Sequence, residues 1–482
     1  MTVSRLTALT LLAAAGFALL PRSAAVAQDK EPPLPSKSTA SFTRVNEYKS
    51  DPRKVSGELA QAKDHMKAFA KYYADFLAHP LVYRVIQDPA KLPQGVLLSS
   101  LNIDEKIAEM GRYLAEPQPT NRSAGDSSQV RYNSDYADFI RELGAALDES
   151  LMKLVREHPE RIVRVNAMRA YIVACKTGAA PHWPTVTNLL KDPKTRPEIK
   201  ILALQAAANL FAAYDPDDYP SRRHAIGSKR PRIEADKEIG TLVKAVQDCV
   251  TTPKMLLADY PDGKGPKKSA SPGQVEVLRY ARREAIRALA KVRFVKLPGP
   301  GGDDDPLYPA FTLARVCMAD PALGPTPTPS ESAEAVLGLA NMAPVWNGKP
   351  VENYSAEAAA LAVANGLVNF ASPKANLPDD ASTKWYGYGL ELSDALAGWP
   401  AIFNFLHNPV RPNPADADAA PSIIKELIRS AEKTIIAPLT AKGGQVSVDD
   451  LRTLIKTLEE KPDSKVLFKG VPATTLPGLQ GQ

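Results

Sequence analysis

The sequence predicts an all-α protein built from many short helices, and three observations carry that reading. Apolar residues recur at steps of three and four through most of the chain, and alternating β-branched runs bounded by tight turns are almost absent. The third is proline, 43 of 482 residues, which stands between the apolar stripes. A proline ring lacks the N–H that the first turn of a helix does not need, so a chain of short helices places Pro at their starts. Pro159, Pro181, Pro184, Pro193, Pro197, Pro216, Pro253 and Pro272 all fall at or just beyond predicted helix ends.

The elements follow in order. Met1 to Lys30 opens with Arg5, continues uncharged from Leu6 to Leu20, and closes with Pro21, Arg22 and the small residues Ser23, Ala24, Ala25, Val26 and Ala27. This is the three-part pattern of a cleaved signal peptide, residues 1–27, of the Sec type. Its apolar run of 15 residues is shorter than the roughly 20 that span a bilayer. No later stretch reaches 18 uncharged apolar residues. The expectation is export to the periplasm or outside the cell, with no transmembrane segment in the mature chain. Residues 28–50, with Pro32, Pro33 and Pro35 among Ser, Thr and Lys, read as a disordered tether.

Pro52 to His79 then places Val55, Leu59, Ala62, Met66, Phe69, Ala70, Tyr73, Phe76 and Leu77 on one helical face, which Pro80 ends. Similar stripes follow at 103–115, 135–157, 160–176, 182–191, 196–213, 235–252, 272–294, 306–318, 330–342, 355–371, 386–406, 421–437 and 447–460. The chain therefore reads as N-terminal helical repeats over 51–300, a C-terminal region of helical hairpins over 301–470, and a disordered tail over 471–482.

Some of these helices share a signature. Val163, Arg164, Ala167, Arg169 and Ala170 recur as Ile199, Lys200, Ala203, Gln205 and Ala206, and again as Ala281, Arg282, Ala285, Arg287 and Ala288. The leading alanines are 36 and then 82 residues apart, so the phase is kept if a diverged unit lies between. Ser332, Ala335, Leu337, Gly338 and Leu339 keep the small-and-apolar spacing without the arginine. Small residues on one face let a neighbouring helix approach closely, and the basic residue is expected to cover apolar surface with its stem while its charge stays wet. Over about 160–295 the pattern resembles the second helix of a HEAT-type repeat. That resemblance implies an α-α superhelix, a HEAT-like solenoid of helical hairpins with extended binding surfaces, and it implies no catalytic residues.

Composition bounds the function. With 44% hydrophobic and 24% charged residues the chain is not disordered throughout, and a net charge of +6 is too mild to imply specific nucleic-acid binding. The charge is uneven, however: Tyr219 to Pro300 holds 18 Lys and Arg against 8 Asp and Glu. Much of the excess sits in expected loops, as Arg222, Arg223, Lys229, Arg230 and Arg232, and as Lys264, Lys267 and Lys268.

Gly263 to Ser269 has the composition of a phosphate-cradling loop without its spacing, and Gly299 to Gly302 fails likewise. The histidines, at 65, 79, 158, 182, 224 and 407, form no i, i+4 pair. His79, His158 and His407 precede prolines at helix ends, where an imidazolium complements the helix dipole. Asp215, Asp217 and Asp218, like Asp303, Asp304 and Asp305, read as solvated loop caps, with Asp303 or Asp305 serving a helix start at Pro306. Cys175, Cys249 and Cys317 allow at most one disulfide, and each otherwise reads as a buried free thiol in an apolar helical setting. No cofactor or metal is expected. Trp385, Tyr386, Tyr388 and Trp399 pack a C-terminal helical pair or, where exposed, stack on a partner.

The expected function is a non-catalytic scaffold that binds a protein or envelope polymer. Its candidate contacts are the eight loop cations named above together with Trp385, Tyr386 and Tyr388. Two alternatives stand beside it: a carbohydrate-active enzyme, lyase or glycoside hydrolase, on an α/α toroid, and a polyanion-binding module using the basic 219–300 section.

Overall fold

The structure, a computed structural model, describes residues 33–51, 53–88, 97–115, 134–214, 232–252, 272–346, 349–375, 382–403, 421–441 and 444–478. The chain divides into Met1–Leu34 and Pro35–Gln482, and every element named below lies in the second part. That part is mostly helical. It opens with α1 (Thr39–Ser50), α2 (Arg53–Gly57), α3 (Leu59–Ala78), α4 (Pro80–Gln87) and α5 (Ile103–Leu114). Four pairs follow: α6 (Ser134–Glu157) with α7 (Arg161–Ala174), α8 (His182–Lys191) with α9 (Pro197–Ala213), α10 (Arg232–Thr251) with α11 (Pro272–Leu289), and α12 (Pro309–Cys317) with α13 (Pro329–Ala340). After them come α14 (Ala356–Ala375), α15 (Ser382–Phe403), α16 (Ser422–Ala431), a π-helical turn at Glu432–Ile436, α17 (Ala437–Thr440) and α18 (Asp449–Glu459). Two small antiparallel ribbons interrupt the helices: β1 (Leu297–Gly299) with β2 (Gly302–Leu307), and β3 (Val345–Trp346) with β4 (Lys349–Pro350).

Within each of the four pairs the two helices pack on each other, and successive pairs stack in chain order. The second helices touch as α7 on α9, α9 on α11, α11 on α13 and α13 on α15. The first helices do the same, α6 on α8, α8 on α10, α10 on α12 and α12 on α14. Helices on both sides of residue 300 thus belong to the same two rows. Local chemistry explains the helix starts: α4, α9, α12 and α13 each carry Pro in the first turn, and α13 adds a capping box between Thr328 and Glu331. The seam between second helices is lined by small residues, for Ala167, Ala203, Ala285 and Ala335 are all fully buried. Helices of the two rows also meet closely at Gly338 of α13 and Gly366 of α14. A Cβ on Gly338 would sit 2.5 Å from Leu313 Cδ1, and one on Gly366 would sit 2.6 Å from Val336 Cγ2.

Several expectations need correction. Residues 39–50 of the expected tether form α1, because Phe42, Val45 and Tyr48 give it a buried face against α3. The stripe from Pro52 to His79 is not one helix: it breaks at Glu58 after the weak helix former Gly57, and Leu59 is left exposed. The backbone N–H groups of His79 and His158 close the helices they follow, at the carbonyls of Phe76 and Leu154, while their rings turn to the next helix. Their Nδ1 atoms accept the backbone N–H groups of Leu81 (3.2 Å) and Glu160 (3.1 Å), so each serves the start of the next helix. Asp303, Asp304 and Asp305 lie in β2, and the helix expected at Pro306 begins at Pro309.

The expected tail is structured as far as Gly478. Leu467 and Leu476 take part in backbone hydrogen bonds to Thr474 and Lys465, Leu476 is fully buried, and Phe468 stacks on Tyr308 and Tyr354. The expected signal segment, residues 1–27, lies outside the described residues. Among the described residues no helix is long and apolar enough to cross a membrane.

Candidate interaction face

The shared signature contains two basic positions, and the fold sends them to opposite sides of the second helices. Three residues before the shared alanine stand Arg164, Lys200 and Arg282, all buried. Their charges are not wet, which corrects the sequence reading. Arg164 Nη1 donates to the carbonyl oxygens of His158 (2.6 Å) and Pro159 (2.7 Å) in the turn between α6 and α7. Arg282 makes a two-pronged pair with Glu331, Nε to Oε1 at 2.6 Å and Nη2 to Oε2 at 3.0 Å, and its Nη1 reaches the carbonyls of Leu323 and Pro325, both at 2.5 Å. Carbonyls beyond a helix end lack intrahelical partners, and a guanidinium carries enough donors in a fixed fork to serve several at once. Glu331 is saturated in turn, since Oε2 also accepts from the Thr328 N–H at 2.6 Å and the Thr328 hydroxyl at 2.9 Å.

Two residues after the shared alanine stand Arg169, Gln205 and Arg287, and these point outward. Arg169 donates to Asp104 of α5 (2.5 Å) and to Asn166 (3.1 Å). Gln205 Nε2 donates to Glu284 Oε2 of α11 at 3.1 Å, and Asn209 on the same helix donates to the Ile172 carbonyl of α7 at 2.7 Å. Arg287 spans Glu284 on its own helix (2.8 Å) and Glu334 of α13 (2.5 Å), and the Tyr388 hydroxyl of α15 donates to Glu334 at 3.1 Å. Side-chain bonds therefore tie each second helix to its neighbour. Burial works against the Arg287 charge, yet Glu334 and Glu284 outweigh it and hold the guanidinium pKa above its ordinary value. Burial, with the Glu334 charge, pushes the Tyr388 phenol up to about 12. Arg283 lies on the same side of α11 with its guanidinium 5.3 Å from the Tyr280 ring centroid.

The aromatic cluster expected at the C-terminal end separates into different roles. Trp399 is fully buried, and Trp385 is half-buried 4.8 Å from Phe370, ring centre to ring centre. Tyr388 belongs to the Glu334 network, and Tyr386 is left 49% exposed. Of the basic loop residues, Arg222, Arg223, Lys229, Arg230, Lys264, Lys267 and Lys268 lie outside the described residues, and Arg232 opens α10. Cys175, Cys249 and Cys317 are free and buried, with burial pushing the Cys249 thiol up to about 12. His182, fully buried, lies 3.1 Å from the Tyr171 hydroxyl, which donates to Asp148 at 2.5 Å. Among the described residues no group of three or more His, Cys, Asp or Glu is placed to hold a metal ion.

No family model, curated protein or solved structure matches the chain. The face has to be read from its own chemistry. In the sequence Arg169, Gln205 and Arg287 are visible as members of the repeated signature, but their bonds from helix to helix are not. Their recurrence at one phase was the available signal. Glu284 and Glu334 gave none, since a lone Glu on a helix is the commonest of solvated residues.

Proposed function

We propose that this chain is an exported, non-catalytic scaffold: a HEAT-like superhelix of helical hairpins that binds a protein or envelope polymer along its row of second helices. The observation that carries the reading is the outward position of the repeated signature, where Arg169, Gln205 and Arg287 link successive helices. A row fixed laterally at every step holds side chains on neighbouring repeats at set spacings, which an extended partner needs and a single pocket does not. Tyr386 and Trp385 offer aromatic surface at the far end of the row, and Arg279, Arg283 and Arg287 share one face of α11, where Arg279 pairs with Glu276 and Arg287 with Glu284 and Glu334. The signal pattern of residues 1–27 supports export.

Solution scattering on the purified chain tests the architecture. An elongated profile is expected, and a compact ring with a central hole would replace this reading with the toroid enzyme. Crosslinking in an envelope extract, through a photoreactive residue placed at Ala208 on the outward side of α9, tests the face. Loss of the crosslink on raising the salt concentration, together with its competition by a soluble polyanion such as heparin, would favour the polyanion-binding alternative.

A further inference from the structure

The first helices of the fold build an aromatic cluster that no repeat explains. Phe42 of α1, Phe69, Tyr72 and Tyr73 of α3 and Tyr113 of α5 interlock, with Phe42 lying 4.8 Å from Phe69 and 5.6 Å from Tyr113 between ring centres. One carboxylate adjoins them. Glu109 stands one helical turn before Tyr113, so both share a face of α5, and its side chain is only 14% exposed. Burial raises its pKa, but the Lys37 and Lys106 ammonium groups outweigh burial and hold the carboxyl below its ordinary value.

These two cations differ in how they are held. Lys106 is on α5 itself, 3.1 Å from Glu109 Oε2 and 5.8 Å and 5.7 Å from the Tyr72 and Phe76 ring centres. It is part of the helix that carries the carboxylate. Lys37 comes from the non-helical segment before α1. Its ammonium pairs with Glu109 and lies 4.6 Å from the Phe42 ring centre and 5.9 Å from that of Tyr113. Among the described residues, Pro35, Ser36 and Lys37 make no backbone hydrogen bond. An open groove of about 590 Å³ runs beside this ammonium, lined further by Thr43, Asn46 and Arg112.

We propose that Phe42, Tyr113 and Glu109 form a binding site for an alkylammonium group, which Lys37 occupies from within the chain and an external ligand takes when Lys37 withdraws. Ring faces attract a cation through their quadrupole, and the carboxylate supplies the opposite charge in a partly dehydrated setting. Phe42 of α1 and Tyr113 of α5 meet each other and both meet Phe69 of α3, so the site persists without its internal occupant. The groove gives the rest of a ligand room beside the ammonium. A lysine side chain of a partner and a small free alkylammonium carry the same chemistry.

The test uses the purified full chain with Lys37→Gln, which keeps most of the side-chain length and removes the charge. Nα-acetyl-lysine methylamide stands for a partner lysine, n-butylammonium for a free amine, and Nα-acetyl-norleucine methylamide for the uncharged control, each followed by ligand-observed NMR. The variant is expected to bind one or both ammonium probes at least tenfold more tightly than the parent and to ignore the norleucine probe. Preference for the lysine probe identifies a macromolecular source. Adding Glu109→Gln is expected to abolish that gain. In the parent, saturating n-butyltrimethylammonium, a cation that the acetylating reagent cannot modify, is expected to raise the acetylation rate of Lys37, read by mass spectrometry. Equal affinity in parent and variant, equal binding of norleucine, or binding that survives Glu109→Gln would overturn the proposal. An unchanged Lys37 acetylation rate in the parent at saturation would do so even if the variant failed to fold.

Discussion

In the second helices between Arg161 and Leu289, the place three residues before the shared alanine holds a cation turned inward, with Arg164 5% exposed, Lys200 3% and Arg282 0%. In α13 the same place holds Ser332, equally buried, whose hydroxyl bonds to nothing among the described residues. The two regions thus keep their helices in register differently. Arg164 serves the turn of its own hairpin. Ser332 is too short to do so, and the corresponding carbonyls of Leu323 and Pro325 are taken by Arg282 from the preceding hairpin. Beyond that junction close contact at Gly338 and Gly366 joins the bonds from Tyr388 to Glu334 and from Asn369 to the Cys317 carbonyl. One arginine of the preceding hairpin therefore adds to the bonds that Asp320 makes within the turn between α12 and α13.

The largest expected effect follows from this. Arg282→Met leaves Glu331, itself fully buried, as an unpaired charge and strips two carbonyls of their donor. A cost of about 3–5 kcal/mol is expected, since breaking a buried pair by removing one partner leaves the other uncompensated. Urea unfolding measures it. A loss below about 1 kcal/mol would mean that water reaches Glu331 and the two regions are not clasped. The companion change Glu331→Gln, added to Arg282→Met, is expected to recover part of the loss because it removes the stranded charge.

Packing comes next. Ala203→Trp in the first region and Gly338→Ala in the second both insert volume where a helix already touches, and losses of about 1–3 kcal/mol are expected. The tryptophan variant stands at the upper end. A parent-like melting temperature for Ala203→Trp would show that the alanine seam is slack, and the same for Gly338→Ala would show that Leu313 moves aside at no cost.

These comparisons also show what the sequence could reveal. Helix periodicity and Pro at helix starts are local properties, so the all-α class, the second helices and the buried alanines were legible. The helix α1 was not, because its buried face is only Phe42, Val45 and Tyr48 among polar residues. The β1–β2 ribbon was hidden by Pro298, Pro306 and three aspartates, a composition that reads as loop. The direction of the repeated cations was hidden for a different reason. Arg282 finds its partners 41 to 49 residues along the chain, and backbone carbonyls leave no mark in a sequence. Tyr388 likewise meets Glu334 at a separation of 54 residues. At the site proposed for an ammonium, Glu109 and Tyr113 were adjacent on a predicted helix, but Lys37 lay in what read as a tether.

Alkaline pH probes both regions at once. The unfolded Cys249 thiol ionises near 9.0, whereas in the fold it holds its proton up to about 12. Between those values the unfolded chain sheds the proton first, so stability falls as pH rises through that window and is fully present below it. Tyr388, raised from 10.0 to about 12, adds to the same fall. A melting temperature constant from pH 9 to 11 would contradict the burial of both groups. At pH 8, thiol reagents are expected to modify no cysteine of the folded chain and all three once it is unfolded.

The smallest effect sharpens the comparison most, because it sets two arginines of one helix against each other. Arg164→Met removes donors from two turn carbonyls in a buried setting, and about 1–3 kcal/mol is expected for acceptors left without partners. Arg169→Met breaks a pair whose side chains are 38% and 57% exposed, where water competes for both ends, and the cost should stay below about 1 kcal/mol. If Arg169 bonds outward in order to hold a binding surface at fixed spacing, its loss should weaken the crosslinked partner while barely moving the melting temperature, and Arg164→Met should do the reverse. Equal stability losses at the two positions would erase the distinction between an inward cation that closes a turn and an outward one that serves the face.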